Sequence, residues 1–333
     1  MTDLVTGATG FIGSHLAERL LASGRKVRVL CRAESTGKLQ PAIAAKAEIA
    51  VGDLRDKESL ARAVHGVERV FHCAGHVLDW GAARDFDEAN VRGTEWLFEA
   101  AARERLARFI HFSSIAVFGT PSPPHMSDDA PFGSAGSATD AYTRTKIEGE
   151  QVAARFAKQG LDVVILRPAV VYGPRGTWLE EPVAMIAKNK MFLLGGGVGT
   201  CHPCYIENLV DATILAAEHP EAPGRAYIVA DDDPITFRRY FDGMAEIAGH
   251  PPITRSIPLA LARLTAIGME LGAKVLDATT RPLLTRTALD MVTTKSTLSM
   301  QRIKDELGWF PRYDFATAVA ELRQSRQPGN VTR

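Results

Sequence analysis

Gly7, Gly10 and Gly13 stand in G-x-x-G-x-x-G spacing between a short apolar run, Leu4 to Thr6, and a helix-like stretch from Ser14 to Ala22. Glycines so placed let the chain turn tightly, let backbone amides approach a pyrophosphate, and let the next helix pack closely on the strand. A strand entering such a loop and a helix leaving it start a strand-helix-strand unit of a parallel sheet. The rhythm continues. Short β-branched apolar runs recur at Val27 to Cys31, Glu48 to Val51, Arg69 to Cys73, Phe109 to Phe112 and Val163 to Leu166, with amphipathic stretches between them. Tyr227 to Ala230 reads as a late strand returning to the same sheet. The fold class expected is α/β: a Rossmann-type, doubly wound parallel sheet with helices on both faces, plus a smaller, mostly helical C-terminal lobe.

A chain of 333 residues exceeds the size at which one core usually stops growing. Two lobes are therefore expected: residues 1–166 with returning segments at about 204–230 for a nucleotide, and 167–203 with 231–333 for a substrate. Ser256 to Asp277 is the most apolar helix-like segment, with Arg263, Glu270 and Lys274 on one face. A lid over an apolar substrate, a membrane-surface helix with peripheral contact, and plain packing all fit that pattern. No apolar run approaches the roughly 20 residues needed to span a bilayer. Lys plus Arg equals Asp plus Glu at 39 each, so the basic footprint of a nucleic-acid-binding protein is missing. Four cysteines and no apolar leader before the first strand fit a reducing cytoplasm. Cys201-His202-Pro203-Cys204 has the spacing of a redox motif or half a zinc site, but no second ligand pair stands at suitable spacing. No metal is expected.

Nucleotide-binding residues follow from position in the unit. Thr9, Phe11 and Ile12 complete the glycine loop, and Asp53-Leu54 closes the third strand, where a carboxylate can accept from an adenine amino group. The second strand ends Val29-Leu30-Cys31-Arg32, without the acidic residue that grips a ribose 2′-hydroxyl. A guanidinium there pairs with a 2′-phosphate, and a charged hydrogen bond of about 1.5–3 kcal/mol changes affinity about tenfold to a hundredfold. NADP(H) is favoured over NAD(H). With Glu34 nearby, NAD(H) stays open as the alternative.

His111-Phe112-Ser113-Ser114 ends the fifth strand and places a hydroxyl at the carboxyl edge of the sheet, where ligands of this architecture bind. Tyr142 and Lys146 are one helical turn apart, so a phenol and an ammonium share a face. A phenol titrating near 10 can be brought about 3 units lower by such a neighbour. That makes it a proton donor or acceptor at neutral pH, and the trio a device for moving a proton beside a hydride carrier. His72 and His111, at strand ends, read as satisfied core or rim histidines. Trp80 lies in the loop after the fourth strand, where it either walls a substrate pocket or anchors the loop.

Thr6 to Gly13, Gly52-Asp53-Leu54, His72-Cys73-Ala74, Asn90 to Thr94, Phe112-Ser113-Ser114, Tyr142 to Lys146 and Arg167 to Pro174 together resemble the successive signatures of the extended short-chain dehydrogenase/reductase family. The resemblance implies Ser114, Tyr142 and Lys146 as the catalytic trio, with Asn90 supporting them. It also implies cofactor contacts from Cys73, Ala74, Gly75, Ser113, Pro168, Val170 and Val171, a substrate contact from Tyr172, and a homodimer built on the helices carrying Asn90 and Tyr142. Sugar-nucleotide epimerases of the family usually carry an asparagine where this chain has Val170, a nucleotide-gripping arginine near Cys201, and a tyrosine at Phe118. Burying a diphosphate without those donors is costly. Tyr205-Ile206-Glu207-Asn208 and Pro282 to Arg286 are instead similar to the 3β-hydroxysteroid dehydrogenase and 2-alkyl-3-oxoalkanoate reductase branch, and Val29 to Arg32 resembles the dihydroflavonol reductases. The implied partner is a small hydrophobic ketone or alcohol. The runner-up is an NDP-sugar epimerase or dehydratase with tightly bound NAD.

Overall fold

The computed structural model describes residues 2–77, 82–134, 141–275 and 282–326. Seven strands form one sheet: β1 (Thr2–Thr6), β2 (Lys26–Cys31), β3 (Glu48–Val51), β4 (Arg69–His72), β5 (Arg108–Phe112), β6 (Val163–Pro168) and β7 (Ala226–Val229). Their order is β7-β6-β5-β4-β1-β2-β3, and every neighbouring pair is parallel. Each expected strand is present, with ends within two residues of those read from the apolar runs. The central runs are continuous rather than alternating because helices cover both faces.

Helices α1 (Phe11–Ala22), α2 (Lys57–Val64), α3 (Gly93–Glu104) and α4 (Ala141–Lys158) belong to this sheet. Asp56 caps α2 by accepting from the Ser59 amide, which satisfies one of the donors that a helix start leaves unpaired. On one face Leu60, Leu97, Phe98, Val152 and Phe156 pack on Phe109 and Val163. On the other, Leu16, Leu20 and Leu209 form a core that runs on without a break into the C-terminal segments through Tyr172, Tyr240 and Phe315. The strand order reverses between β1 and β4, so the loops leaving those two strands diverge and open a crevice at their carboxyl ends.

Of the remaining segments, α5 (Thr177–Ala187), α7 (Phe237–Ala248), α8 (Leu259–Val275) and α9 (Arg286–Thr293) close over that crevice, whereas α6 (Ile206–Glu218) packs on the sheet through Leu209. Within α8 the small residues face the body and the large apolar ones face away from it. Ala262 and Ala266 are buried, whereas Leu261, Leu264 and Leu271 are 56, 69 and 58 % exposed. Small residues let the helix lie close to the body, and its charges are used for tethering: Arg263 pairs with Asp290 at 3.0 Å, and Glu270 accepts from the Arg286 side chain and amide at 2.7 Å. Among the described residues, no helix is long and apolar enough to cross a membrane. Asp277, the expected end of this segment, lies outside the described residues.

Candidate active site

The loop after β1 owes its shape to two missing side chains. Gly7 has φ +75°, and a Cβ there would sit 2.8 Å from the Ala74 amide nitrogen. A Cβ on Gly13 would lie 2.4 Å from the Gly7 carbonyl oxygen. The first turn of α1 is therefore pressed against the strand end, with its free amides directed into the crevice, the arrangement that receives an anionic phosphate. Gly13→Ala should abolish nucleotide binding, since the obstructing atoms are backbone and cannot step aside. Titration of the variant with NADPH, followed by fluorescence, checks this; binding within tenfold of the parent chain contradicts it.

The crevice and the closing segments enclose one cavity of about 1370 Å³. That volume is above the range of a single small-ligand site, about 300–1,000 Å³, and has room for a dinucleotide and a second molecule. Gly7, Thr9, Gly10, Phe11, Ile12 and Gly13 line one end, together with Arg32, Asp53 and Leu54. Cys73, Ala74, Gly75, Ser114, Tyr142, Val170 and Val171 line its middle. Arg32 is half-exposed, and its nearest anionic partner is Glu34, at 3.4 Å. Asp53 is less free than expected. Arg55 donates to it from its amide at 2.9 Å and from its guanidinium at 3.1 Å, and these bonds hold the carboxyl below its usual range. Ser35, buried beside Arg32 and also on the cavity wall, was not singled out from the sequence. A hydroxyl three residues after the arginine was the available signal.

Several expected residues stand behind the wall rather than on it. Lys146 is buried, with Nζ donating to the Phe112 carbonyl at 2.8 Å and lying 5.8 Å from the centre of the Tyr142 ring. Burial lowers its pKa to about 8, partly offset by the Glu150 carboxylate, so it remains mostly charged at pH 7. Asn90 is buried in a widened helical turn, Asp87–Arg92. Its amide donates to the His76 carbonyl at 2.9 Å and to Thr145 Oγ1 at 3.1 Å, while its oxygen accepts from the His76 amide at 2.6 Å. One side chain thus ties the loop after β4 to the helix bearing Tyr142 and Lys146. Ser113 is buried, with its hydroxyl unpartnered among the described residues, and Pro168 is the last residue of β6. Neither lines the cavity.

Tyr172 does not meet the expectation of a substrate contact. It is fully buried, packs on Tyr205, Tyr240 and Phe315, and donates to Asp231 Oδ2 at 3.2 Å. Packing against those rings places Tyr172 in the core behind the cavity wall. Trp80 lies outside the described residues. His72 is satisfied as expected, with Nδ1 2.9 Å from Thr6 Oγ1 and Nε2 2.9 Å from Thr94 Oγ1, and burial pushes its pKa down to about 3. His111 is buried beside it, yet neither ring nitrogen has a partner among the described residues. Among those residues no group of side chains could hold a metal ion, and the four cysteines are free thiols.

Arg167 anchors this framework from below. Its guanidinium makes three hydrogen bonds to Glu150 at 2.6–3.2 Å and one to the Asp128 carbonyl at 2.8 Å, with both charged side chains buried. Glu150 is on the same helix as Lys146, one turn further on, so the ion pair fixes the rotation of that helix against β6.

The model of the NAD dependent epimerase/dehydratase family matches residues 4–230. A 4-hydroxy-2-methyl-3-oxo-4-farnesyl-3,4-dihydroquinoline-1-oxide ketoreductase of Stigmatella aurantiaca is 28% identical, over 99% of this chain and 98% of its own. Sterol demethylase protein B of Methylococcus capsulatus is 31% identical over 97% of this chain and 99% of its own. Among solved structures, the dTDP-glucose 4,6-dehydratase DesIV of Streptomyces venezuelae, with NAD bound, shares the fold at a TM-score of 0.77. It is 23% identical and covers 97% of this chain, which in turn covers 96% of it. With its tightly turned glycine loop at the end of the first strand and whole-length relatives named for ketone and sterol chemistry, the chain belongs to the NAD dependent epimerase/dehydratase family, within the extended short-chain dehydrogenases/reductases, and is an NAD(P)-dependent oxidoreductase.

Proposed function

We propose that this protein interconverts a ketone and a secondary alcohol on a hydrophobic substrate and prefers NADP(H). One observation carries the substrate class. The part of the cavity wall contributed by the described residues between 177 and 296 includes Met185, Met191, Phe192, Leu194, Phe237 and Met269, and among those described residues no lysine or arginine. Arg175, at its edge, is engaged by Glu18 at 2.6 Å. A diphosphate placed there would lose its hydration without gaining cationic donors, which argues against an NDP-sugar substrate. The relatives named for a farnesylated quinoline ketone and for a sterol support the same class.

The residues present fit a nicotinamide dinucleotide, because the absence of side chains at Gly7 and Gly13 lets the first turn of α1 close on the end of β1 at the cavity wall, where a helix start receives a phosphate. When bound, that cofactor supplies or accepts the hydride. Residues 1–166 with about 204–230 would hold it, and 167–203 with 231–333 would hold the substrate. In this reading Ser114 Oγ donates to the substrate oxygen, and the Tyr142 hydroxyl passes its proton to that oxygen as the carbonyl carbon receives hydride. Lys146 favours the phenolate left behind and holds the nicotinamide ribose. Asn90 positions rather than reacts, since its amide is spent on His76 and Thr145.

Mixing the protein with NADPH and a panel of apolar ketones should give loss of nicotinamide absorbance, whereas a panel of NDP-sugars should give none. Tight co-purifying NAD, with sugar conversion and no net consumption of cofactor, would establish the epimerase reading instead. Arg32→Ala is expected to raise KM for NADPH about tenfold to a hundredfold, with KM for NADH nearly unchanged, because only one cofactor carries the 2′-phosphate. Equal effects on both would assign Arg32 to the shared adenine end.

A further inference from the structure

The Cys201-His202-Pro203-Cys204 stretch has no part in the chemistry above. Its thiols are fully buried, and burial drives the pKa of both well above the usual range, so neither is a reactive or metal-binding thiolate. His202, between them, is different. It is only 6 % exposed, yet it lies on the cavity wall. Its place is fixed by the backbone: the Val170 amide donates to the His202 carbonyl at 3.0 Å, and the strand that follows, Pro203–Tyr205, pairs with Val170–Tyr172. His202 is therefore held next to Val170, on the wall of the cavity that Ser114 and Tyr142 also line.

Its tautomer can be read from its partner. Nε2 lies 3.2 Å from the Ser296 backbone oxygen and 3.4 Å from the Ser296 hydroxyl, which can turn to accept as well as to donate. A carbonyl oxygen only accepts, so Nε2 carries the hydrogen. Burial lowers the pKa from its ordinary 6.5, so the ring is neutral at pH 7 and Nδ1 keeps its lone pair. Among the described residues nothing donates to Nδ1. Thr200 and Ser296 line the same part of the wall and are joined by a 3.4 Å bond from the Ser296 amide to Thr200 Oγ1, which steadies the segment that orients the ring. An acceptor of fixed direction thus stands on a wall that is otherwise largely apolar.

We propose that His202 determines specificity by accepting, at Nδ1, a hydrogen bond from a hydroxyl or N–H group carried by the substrate in addition to its reacting carbonyl. This rests on the apolar-ketone reading and deepens it: the preferred substrate is a hydrophobic ketone with one further hydrogen-bond donor. A lone pair on a neutral acceptor offers a carboxylate or phosphate no hydrogen to accept. A pure hydrocarbon ketone leaves it unpaired in a site that excludes water.

The test uses the full chain with NADPH and a matched series: 5α-androstan-3-one, derivatives hydroxylated at one ring carbon each, and the corresponding methyl ethers. For at least one position the alcohol should exceed both its ether and the parent ketone in kcat/KM by about tenfold, the size of one neutral hydrogen bond. His202→Phe should erase that advantage while still reducing the parent ketone, and His202→Asn, whose Oδ1 replaces Nδ1 as acceptor, should restore most of it. Discrimination that is absent from the wild type, or that survives in His202→Phe, overturns the anchor. Failure of the wild type to reduce any member overturns the ketone reading instead. The anchor is then judged by nitrogen-15 spectra of the His202 ring at pH 7. An unprotonated Nδ1 supports it, and an Nδ1–H tautomer overturns it.

Discussion

Tyr142→Phe is expected to lower kcat by about 10²- to 10⁴-fold, the contribution of a positioned general acid, while the affinity for NADPH changes less than about threefold. At 25 °C that loss corresponds to about 2.7–5.5 kcal/mol of barrier. The substitution removes one oxygen and keeps the ring on the cavity wall and over the Lys146 ammonium. Packing is therefore conserved and proton delivery is not. Two features of the site point to an effect at the upper end. Lys146 is shielded from water, with its charge held by the Phe112 carbonyl and the Glu150 carboxylate, so its field at the phenol is little screened. Its position is fixed as well, since the helix carrying both residues is tied by Asn90 on one side and Arg167 on the other. Stopped-flow reduction of a turned-over ketone, compared with NADPH titration of the same variant, separates chemistry from binding. Undiminished turnover would remove Tyr142 from the reaction.

Arg167→Met should destabilise the fold by about 3–5 kcal/mol, because it leaves the Glu150 carboxylate buried without its partner. Glu150 is among the least exposed charged groups of the chain, at 2 %, and all three of its recorded hydrogen bonds come from this one guanidinium. The Asp128 carbonyl loses its donor at the same time. Urea unfolding followed by circular dichroism measures the loss. The double variant Arg167→Met with Glu150→Met should recover most of it, since two apolar side chains of similar volume replace the pair and Lys146 keeps its bond to the Phe112 carbonyl. A double variant no more stable than Arg167→Met would mean that the helix depends on the ion pair itself for its seating.

The glycine loop, the seven strands and the places of Ser114, Tyr142 and Lys146 were legible because each is encoded locally. Strand runs read as strands when both faces are covered, a tight turn needs glycine whatever surrounds it, and residues one helical turn apart share a face by covalent geometry. Position relative to the cavity was less so. Tyr172 and Val171 are neighbours in one signature, but only packing against Tyr240 and Phe315 of the second lobe decides that Tyr172 is core while Val171 lines the cavity. In α8 the sequence shows apolar residues in abundance, and their direction depends on Ala262 and Ala266 finding a close-fitting surface elsewhere.

By itself the sequence determined the strand and helix runs, the nucleotide loop and the one-turn spacing of Tyr142 and Lys146, all of which are patterns written into neighbouring residues. Tertiary structure alone decided which apolar side chains enclose the substrate, that Asn90 ties a loop to a helix, and that His202 meets the Ser296 carbonyl on the cavity wall. Those contacts join residues far apart along the chain, and such pairings are set by how layers of the fold close on one another, which no local pattern records.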